Sequence, residues 1–181
     1  DVICYAADQY GGSGAIFVSN TYQPSSNPGP AAAHFAEVEV DTLTGLCRLT
    51  AYTAAHDVGK AINPELCRGQ VGSALQQGMG LVFCEQVKID PKTGQPLNAT
   101  LQRYHVARAY DFPHIETVLV ENGSPEGPYG AKSIGESCFV PVAPALLAAV
   151  NDALQTDLTT LPLTPEKIIR AVQEKRKEAS L

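Results

Sequence analysis

His34-Phe35-Ala36-Glu37-Val38-Glu39-Val40 alternates apolar and polar residues with a period of two, the pattern of a half-buried β-strand. Thr42-Leu43-Thr44-Gly45 follows as a turn, and residues 46–55 return as a second strand. Downstream, Asn63-Pro64 carries a helix-start signal, an N-cap residue followed by proline at the first helical position, and the helix is expected to run to about Gly80. Residues 81–89 read as a further strand closed by the turn Asp90-Pro91-Lys92-Thr93-Gly94. Residues 115–121 form another β-rich run that ends at Asn122-Gly123. Two more helices are expected. One covers residues 140–154; the other starts at Thr164-Pro165-Glu166 and carries Ile168, Ile169 and Val172 on one face. Strand pairs interspersed with helices predict an α/β (α+β) fold, a two-layer mixed sheet covered by helices. Upstream of the first strand, residues 9–33 shift to Gly, Ser, Asn and Pro, an irregular crossing loop with room for a short strand at 15–19.

The bulk numbers narrow the function. With 181 residues the chain can bury one core, and 44% hydrophobic against 18% charged residues marks a folded rather than a disordered chain. A net charge of −6 disfavours a nucleic-acid or anionic-membrane partner, because both need a basic face. The one dense basic run, Lys175-Arg176-Lys177, closes an expected helix, where cations complement the dipole. No apolar run is long enough to span a bilayer. Five cysteines with wide spacing and no CxxC argue against a disulfide framework and against a zinc or iron–sulfur site, so reduced thiols and a cytoplasmic setting are expected. The abrupt start at Asp1-Val2-Ile3-Cys4-Tyr5 makes the chain read as a piece of something longer.

Three segments carry chemistry. Gly69, Gly72, Gly78 and Gly80 lie within or at the end of the first helix, although each interior glycine costs about 1 kcal/mol relative to alanine. Gln70, Ser73 and Gln77 share one face of that helix. The pair of features suits a flat polar ligand; close helix–sheet packing beside a solvated glutamine stripe is the plainer explanation. The segment Glu126-Gly127-Pro128-Tyr129-Gly130-Ala131-Lys132-Ser133-Ile134-Gly135-Glu136 links a strand to the 140–154 helix. Glu136 there can be a catalytic carboxylate or simply an anion at a helix start. In His56-Asp57-Val58-Gly59-Lys60, Asp57 can brace the turn, and His56 is read as structural rather than as a metal ligand.

Taken together, these segments resemble the molybdenum hydroxylase family, that of xanthine dehydrogenase and aldehyde oxidase. The matching motifs are His56-Asp57-Val58-Gly59-Lys60-Ala61-Ile62-Asn63-Pro64, Gly69-Gln70-Val71-Gly72 with Gln77-Gly78-Met79-Gly80, and Gly130-Ala131-Lys132-Ser133-Ile134-Gly135-Glu136. Val38-Glu39-Val40-Asp41, Gly94-Gln95-Pro96-Leu97-Asn98 with the run from Tyr104 to Pro113, and Leu161-Pro162-Leu163-Thr164-Pro165 agree in order and spacing, from about residue 34 to 173. The resemblance implies that residues 34–181 are the C-terminal half of a molybdenum cofactor-binding domain in the large subunit, and residues 1–33 an irregular connecting segment. It implies that Gln70 hydrogen-bonds the molybdenum-pyranopterin cofactor. It implies that Glu136 is the general base which starts hydroxylation of an electron-poor carbon with water-derived oxygen. No direct metal ligand is implied. The implied partners are a small-molecule substrate (purine, N-heterocycle or aldehyde), the remainder of the large subunit, and iron–sulfur and FAD domains or subunits. Two prolines follow the glutamate in many family members, whereas Ser137-Cys138 stand here, which loosens the expected turn; Cys138 is read as a buried structural thiol. The alternatives are another hydroxylase of the family, acting on aldehydes, other heterocycles or carbon monoxide, and a non-catalytic cofactor-binding or assembly domain.

Overall fold

The computed structural model describes residues 18–27 and 29–178. Strands β1 (Ala32–Val40) and β2 (Cys47–Asp57) form an antiparallel hairpin, and β3 (Ile115–Val120) pairs in parallel with β2, giving the order β1-β2-β3 with β2 central. Helices α1 (Pro64–Met79), α2 (Val142–Leu154) and α3 (Pro165–Glu178) complete the fold. A parallel neighbour requires a crossover, and here that crossover contains α1. One face of the sheet packs on helices while Phe35, Glu37, Glu39 and Thr50 stay exposed on the other, so the mixed two-layer α/β arrangement is present. Most of 15–19, proposed above as a short strand, lies outside the described residues.

The hairpin carries a bulge that alternation alone does not predict. Glu37 pairs with Ala51 and Val38 with Leu49, which leaves Thr50 as the extra residue, its hydroxyl donating to the Glu37 carbonyl at 3.0 Å. The inserted residue resets the phase of β2, so that both Leu49 and Tyr52 point into the core although they are three apart. Asp41 closes the hairpin end, accepting from the Leu43 and Thr44 amides and the Thr44 hydroxyl.

The first helix starts as expected. Asn63 caps α1 by accepting the Leu66 amide at 3.1 Å, with Pro64 at the first position. Its far end corrects the sequence reading, because residues 81–89 are not a strand. Gly80–Cys84 continues α1 as a π-helical turn, and only Ile89 makes an isolated bridge, to Pro96. The apolar run Leu81-Val82-Phe83 is too short for periodicity to separate helix from strand. Tertiary contacts decide: Val82 is fully buried, and its carbonyl accepts the Leu163 amide at 2.6 Å.

Gly78 shows what one of the helix glycines is for. A Cβ there would overlap the Val142 side chain, whereas at Gly69 it would meet nothing within 4 Å. Alanine gains about 1 kcal/mol of helix propensity at either site. Crowding the stiff, β-branched Val142 costs about 1–3 kcal/mol and wins at Gly78. Gly69→Ala is therefore expected to raise the melting temperature and Gly78→Ala to lower it. Equal shifts of the same sign would show that α1 and α2 do not pack through this contact.

Candidate active site

The segment carrying Glu136 is a chain of tight turns leading into α2. Cys138 N donates to Ile134 O at 3.3 Å, Phe139 N to Glu136 O at 3.0 Å, and the Ser137 hydroxyl to Ser133 O at 3.3 Å. Ile134 and Cys138 turn toward the core, and this directs Gly135 and Glu136 outward. A proline at 138 would lack the amide that bonds Ile134 here. Ser137 and Cys138 thus contribute hydrogen bonds that close this turn.

Glu136 and Gln70 meet in one groove. Its volume is about 450 Å³, and Gln70, Ser73, Ala74 and Gln77 of α1 face Gly135, Glu136, Phe139 and Val140 across it. Both named side chains are exposed. The Gln70 carboxamide reaches across, its oxygen lying 3.7 Å from the position a Cβ would take on Gly135. The Gln77 amide donates to the Ser73 hydroxyl at 3.4 Å, so the face shared by Gln70, Ser73 and Gln77 lines a concave surface.

A larger hollow of about 530 Å³ lies at the C-terminal end of α1, lined among others by Leu49, Met79, Phe83 and Leu163 and by Arg48 and Asp111. It contains neither Gln70 nor Glu136. The smaller groove is the one that brings the Gln70 carboxamide and the Glu136 carboxylate together, which is what a polar, hydrogen-bonding ligand needs.

Loops on the other side of the Glu136 turn are zipped together. Lys132 N donates to Val58 O at 2.8 Å and Ser124 N to Gly130 O at 2.9 Å. Gly59, at φ +65°, lies so close to the Gly130 carbonyl that a side chain would collide with it. Asp57 accepts Lys132 Nζ at 2.6 Å and its own loop's Gly59 amide at 3.0 Å. These two bonds hold its carboxyl below the usual carboxylate range, with the lysine the larger influence. The expectation that Asp57 braces a turn holds, and it braces two.

His56 is not an open ligand. It is buried at the end of β2 with its Nε2 2.7 Å from His34 Nε2, while His34 Nδ1 lies 2.6 Å from the Tyr52 hydroxyl. Cys138 Sγ sits 4.0 Å from His56 Nδ1 and is fully buried, as expected of a structural thiol; burial pushes that thiol up to about 11. Sequence spacing gave no hint of this cluster, since His34 and His56 are far apart along the chain. The signal was in the hairpin register, where Ala32 pairs with His56 and His34 with Ala54. Residues 34 and 56 are diagonal neighbours on the inner face. Among the described residues no group of three His, Cys, Asp or Glu side chains is placed to hold a metal ion.

The two histidines make stability depend on pH. Burial and then the neighbouring ring push His34 down from 6.5 to about 4, and burial lowers His56. Two facing Nε2 atoms can share one proton but not carry two. Between the lowered folded values and the ordinary 6.5, the unfolded chain binds more protons. This stabilisation is present in full above that window and is lost as pH falls through it toward 4. The urea midpoint is expected to drop from about pH 7 to about pH 5, and to drop less in His34→Gln. A flat midpoint would show that the pair titrates normally.

The family model for the molybdopterin cofactor-binding domain matches residues 5–113. The chain belongs to that family. It is 34% identical over 157 residues to the putative xanthine dehydrogenase molybdenum-binding subunit XdhA of Escherichia coli strain K12, covering 86% of this chain and 21% of that protein. A match of that length takes in both Gln70 and Glu136. It is 32% identical over 134 residues to the carbon monoxide dehydrogenase large chain of Afipia carboxidovorans, covering 74% of this chain and 16% of that one. Among solved structures, quinoline 2-oxidoreductase from Pseudomonas putida 86 superposes with a TM-score of 0.73 at 38% identity, over 78% of this chain and 18% of that one. The chain therefore spans about a fifth of the length of the curated relatives it matches. It is related to molybdenum-dependent oxidoreductases, and molybdopterin is the family's cofactor.

The groove's chemistry fits that cofactor. A pterin is flat and polar, with donors and acceptors on its ring edges. Gln70 offers one carboxamide donor and acceptor with no hydrogen-bond partner within the described residues, beside Ser73 and Gln77. No helix among the described residues is long and apolar enough to cross a membrane.

Proposed function

We propose that this chain is the base-bearing wall of the cofactor site in a xanthine dehydrogenase-like molybdenum hydroxylase. The observation that carries the proposal is the shared groove, which brings together the one carboxamide and the one carboxylate expected at the site. In this reading residues 34–181 are the C-terminal half of the cofactor-binding domain and residues 1–33 a connecting segment. The rest of a large subunit supplies the other walls. Iron–sulfur clusters and FAD, on other domains or subunits, carry electrons away. The setting is the cytoplasm, in keeping with free thiols at Cys47, Cys67, Cys84 and Cys138.

Each residue has a separate task. Gln70 holds a ring edge of the pterin through its carboxamide. When bound, the molybdenum pyranopterin supplies the redox centre that accepts the substrate's electrons. Glu136 takes, at a carboxylate oxygen, the proton released as a water-derived oxygen attacks an electron-poor carbon. Its outward placement on a turn anchored by Ile134 and Cys138 keeps the carboxylate at the groove surface. Phe139 and Val140, beside it, give the substrate's side of the groove an apolar wall suited to a purine, another N-heterocycle or an aldehyde.

Glu136→Gln in the molybdenum-loaded protein tests the proposal, because it keeps shape and removes basicity. Turnover is lost and molybdenum retained if the reading is right. Turnover near the wild-type rate would show that Glu136 is not the base, and no turnover in the loaded wild-type protein would favour instead a non-catalytic cofactor-binding domain.

A further inference from the structure

We propose that the His56-Asp57 end of β2 is the positioning element for Glu136, gripping the segment 132–138 at both of its ends. The inference rests on Glu136 being the base, and it concerns residues that do not touch the groove.

Adjacent residues of a strand point to opposite faces. His56 turns into the core and meets Cys138, two residues after Glu136; Asp57 turns the other way and meets Lys132, four residues before it. The carboxylate is thus carried on a short segment whose two ends are held by neighbouring residues of the central strand. The Asp57–Lys132 pair is 2.6 Å long, with side chains 17% and 13% exposed, so solvent screens it far less than a surface pair. The pairs Arg48–Glu39, Lys60–Glu121, Arg68–Glu65 and Arg108–Asp111 each keep at least one partner more than a third exposed. Lys132 also bonds the strand's extension through its backbone, by the amide to Val58 O.

The geometry is more specific than folding requires. Lys132 could reach water with little rearrangement, because its turn is at the surface. Instead it is drawn inward by a carboxylate that a second bond, from the Gly59 amide, holds at its other oxygen. A carboxylate held at both oxygens has one orientation, and it transmits that orientation to Lys132 and so to the turn. Releasing it is expected to let Glu136 drift within its groove, and a misplacement of about 1 Å costs about 10²-fold in rate.

The test uses the molybdenum-loaded protein with Asp57→Asn, and with the double variant Asp57→Asn/Lys132→Met, which leaves no lone buried charge that could unfold the chain. Both are expected to keep wild-type molybdenum content and to lower kcat about 10²-fold, with KM within about twofold. Amide hydrogen exchange of residues 132–139 should speed up while α3 stays protected. Combined with Glu136→Gln, neither should lower the residual rate further, since a base that is gone cannot be misplaced. Unaltered exchange in 132–139, or wild-type kcat in the double variant, would overturn the proposal. So would an equal further loss in the Glu136→Gln background, which marks a merely structural role. Wild-type turnover in Glu136→Gln alone would instead retire the base assignment, and exchange, which does not depend on rate, would still decide whether the grip exists.

Discussion

Glu136→Gln is expected to lower turnover of the molybdenum-loaded protein by about 10²–10⁴-fold, the usual worth of a positioned general base. Molybdenum content and melting temperature are expected to stay at wild-type values. Glu136 is exposed at the groove surface, and no side-chain hydrogen bond or ion pair ties it to the described residues. Its backbone carbonyl, which accepts the Phe139 amide, is untouched by the substitution. The fold therefore loses nothing that it uses, and the whole effect falls on proton transfer. A variant that kept more than about a tenth of the wild-type rate would return Glu136 to the role of a residue at a helix start.

Gln70→Ala is expected to act on binding instead. The carboxamide has no partner among the described residues, so its removal should not destabilise α1, and alanine is the better helix former. In the loaded protein the same change leaves a ring-edge group of the cofactor without its hydrogen bond. An unpaired polar group in a closed site costs about 1–3 kcal/mol, which is about 5- to 150-fold in retention. Molybdenum content after exhaustive dialysis should fall accordingly. Unchanged occupancy would place the carboxamide outside the cofactor's reach.

Much of this arrangement was legible in the sequence, for reasons that are local. The Asn63-Pro64 start works through a cap and a fixed φ that need no tertiary context. The alternation of His34 to Val40 and the β-rich run at 115–121 put two of the strands in place, the second observed as Ile115–Val120. The amide face of α1 followed from helical spacing alone. What stayed hidden depends on register and packing. The bulge at Thr50 shifts β2 by one residue, and only with that register do His34 and His56 meet. Leu81-Val82-Phe83 is helical because Val82 is wanted in the core, a preference no short window records. The Asp57–Lys132 pair joins loops that lie far apart in sequence, and neither residue type in isolation announces a partner.

The site residues followed a different course. Residue chemistry alone favoured a structural role for Glu136, and family resemblance raised it. The groove adds an independent reason to pair it with Gln70, since nothing in the hydrogen bonding of either residue required them to face each other. The glycines were misleading in part. Gly78 makes room for the stiff Val142, so close packing within the chain accounts for it without a ligand.

One groove is proposed to contain two residues with separable tasks, holding the cofactor and moving a proton. The most direct test is turnover per bound molybdenum, measured on Glu136→Gln and Gln70→Ala preparations side by side. A crossed result is expected: Glu136→Gln keeps its molybdenum and loses turnover per metal, while Gln70→Ala loses molybdenum and turns over near the wild-type rate for each metal that remains. Parallel losses of metal and of turnover per metal in both variants would contradict the division of tasks.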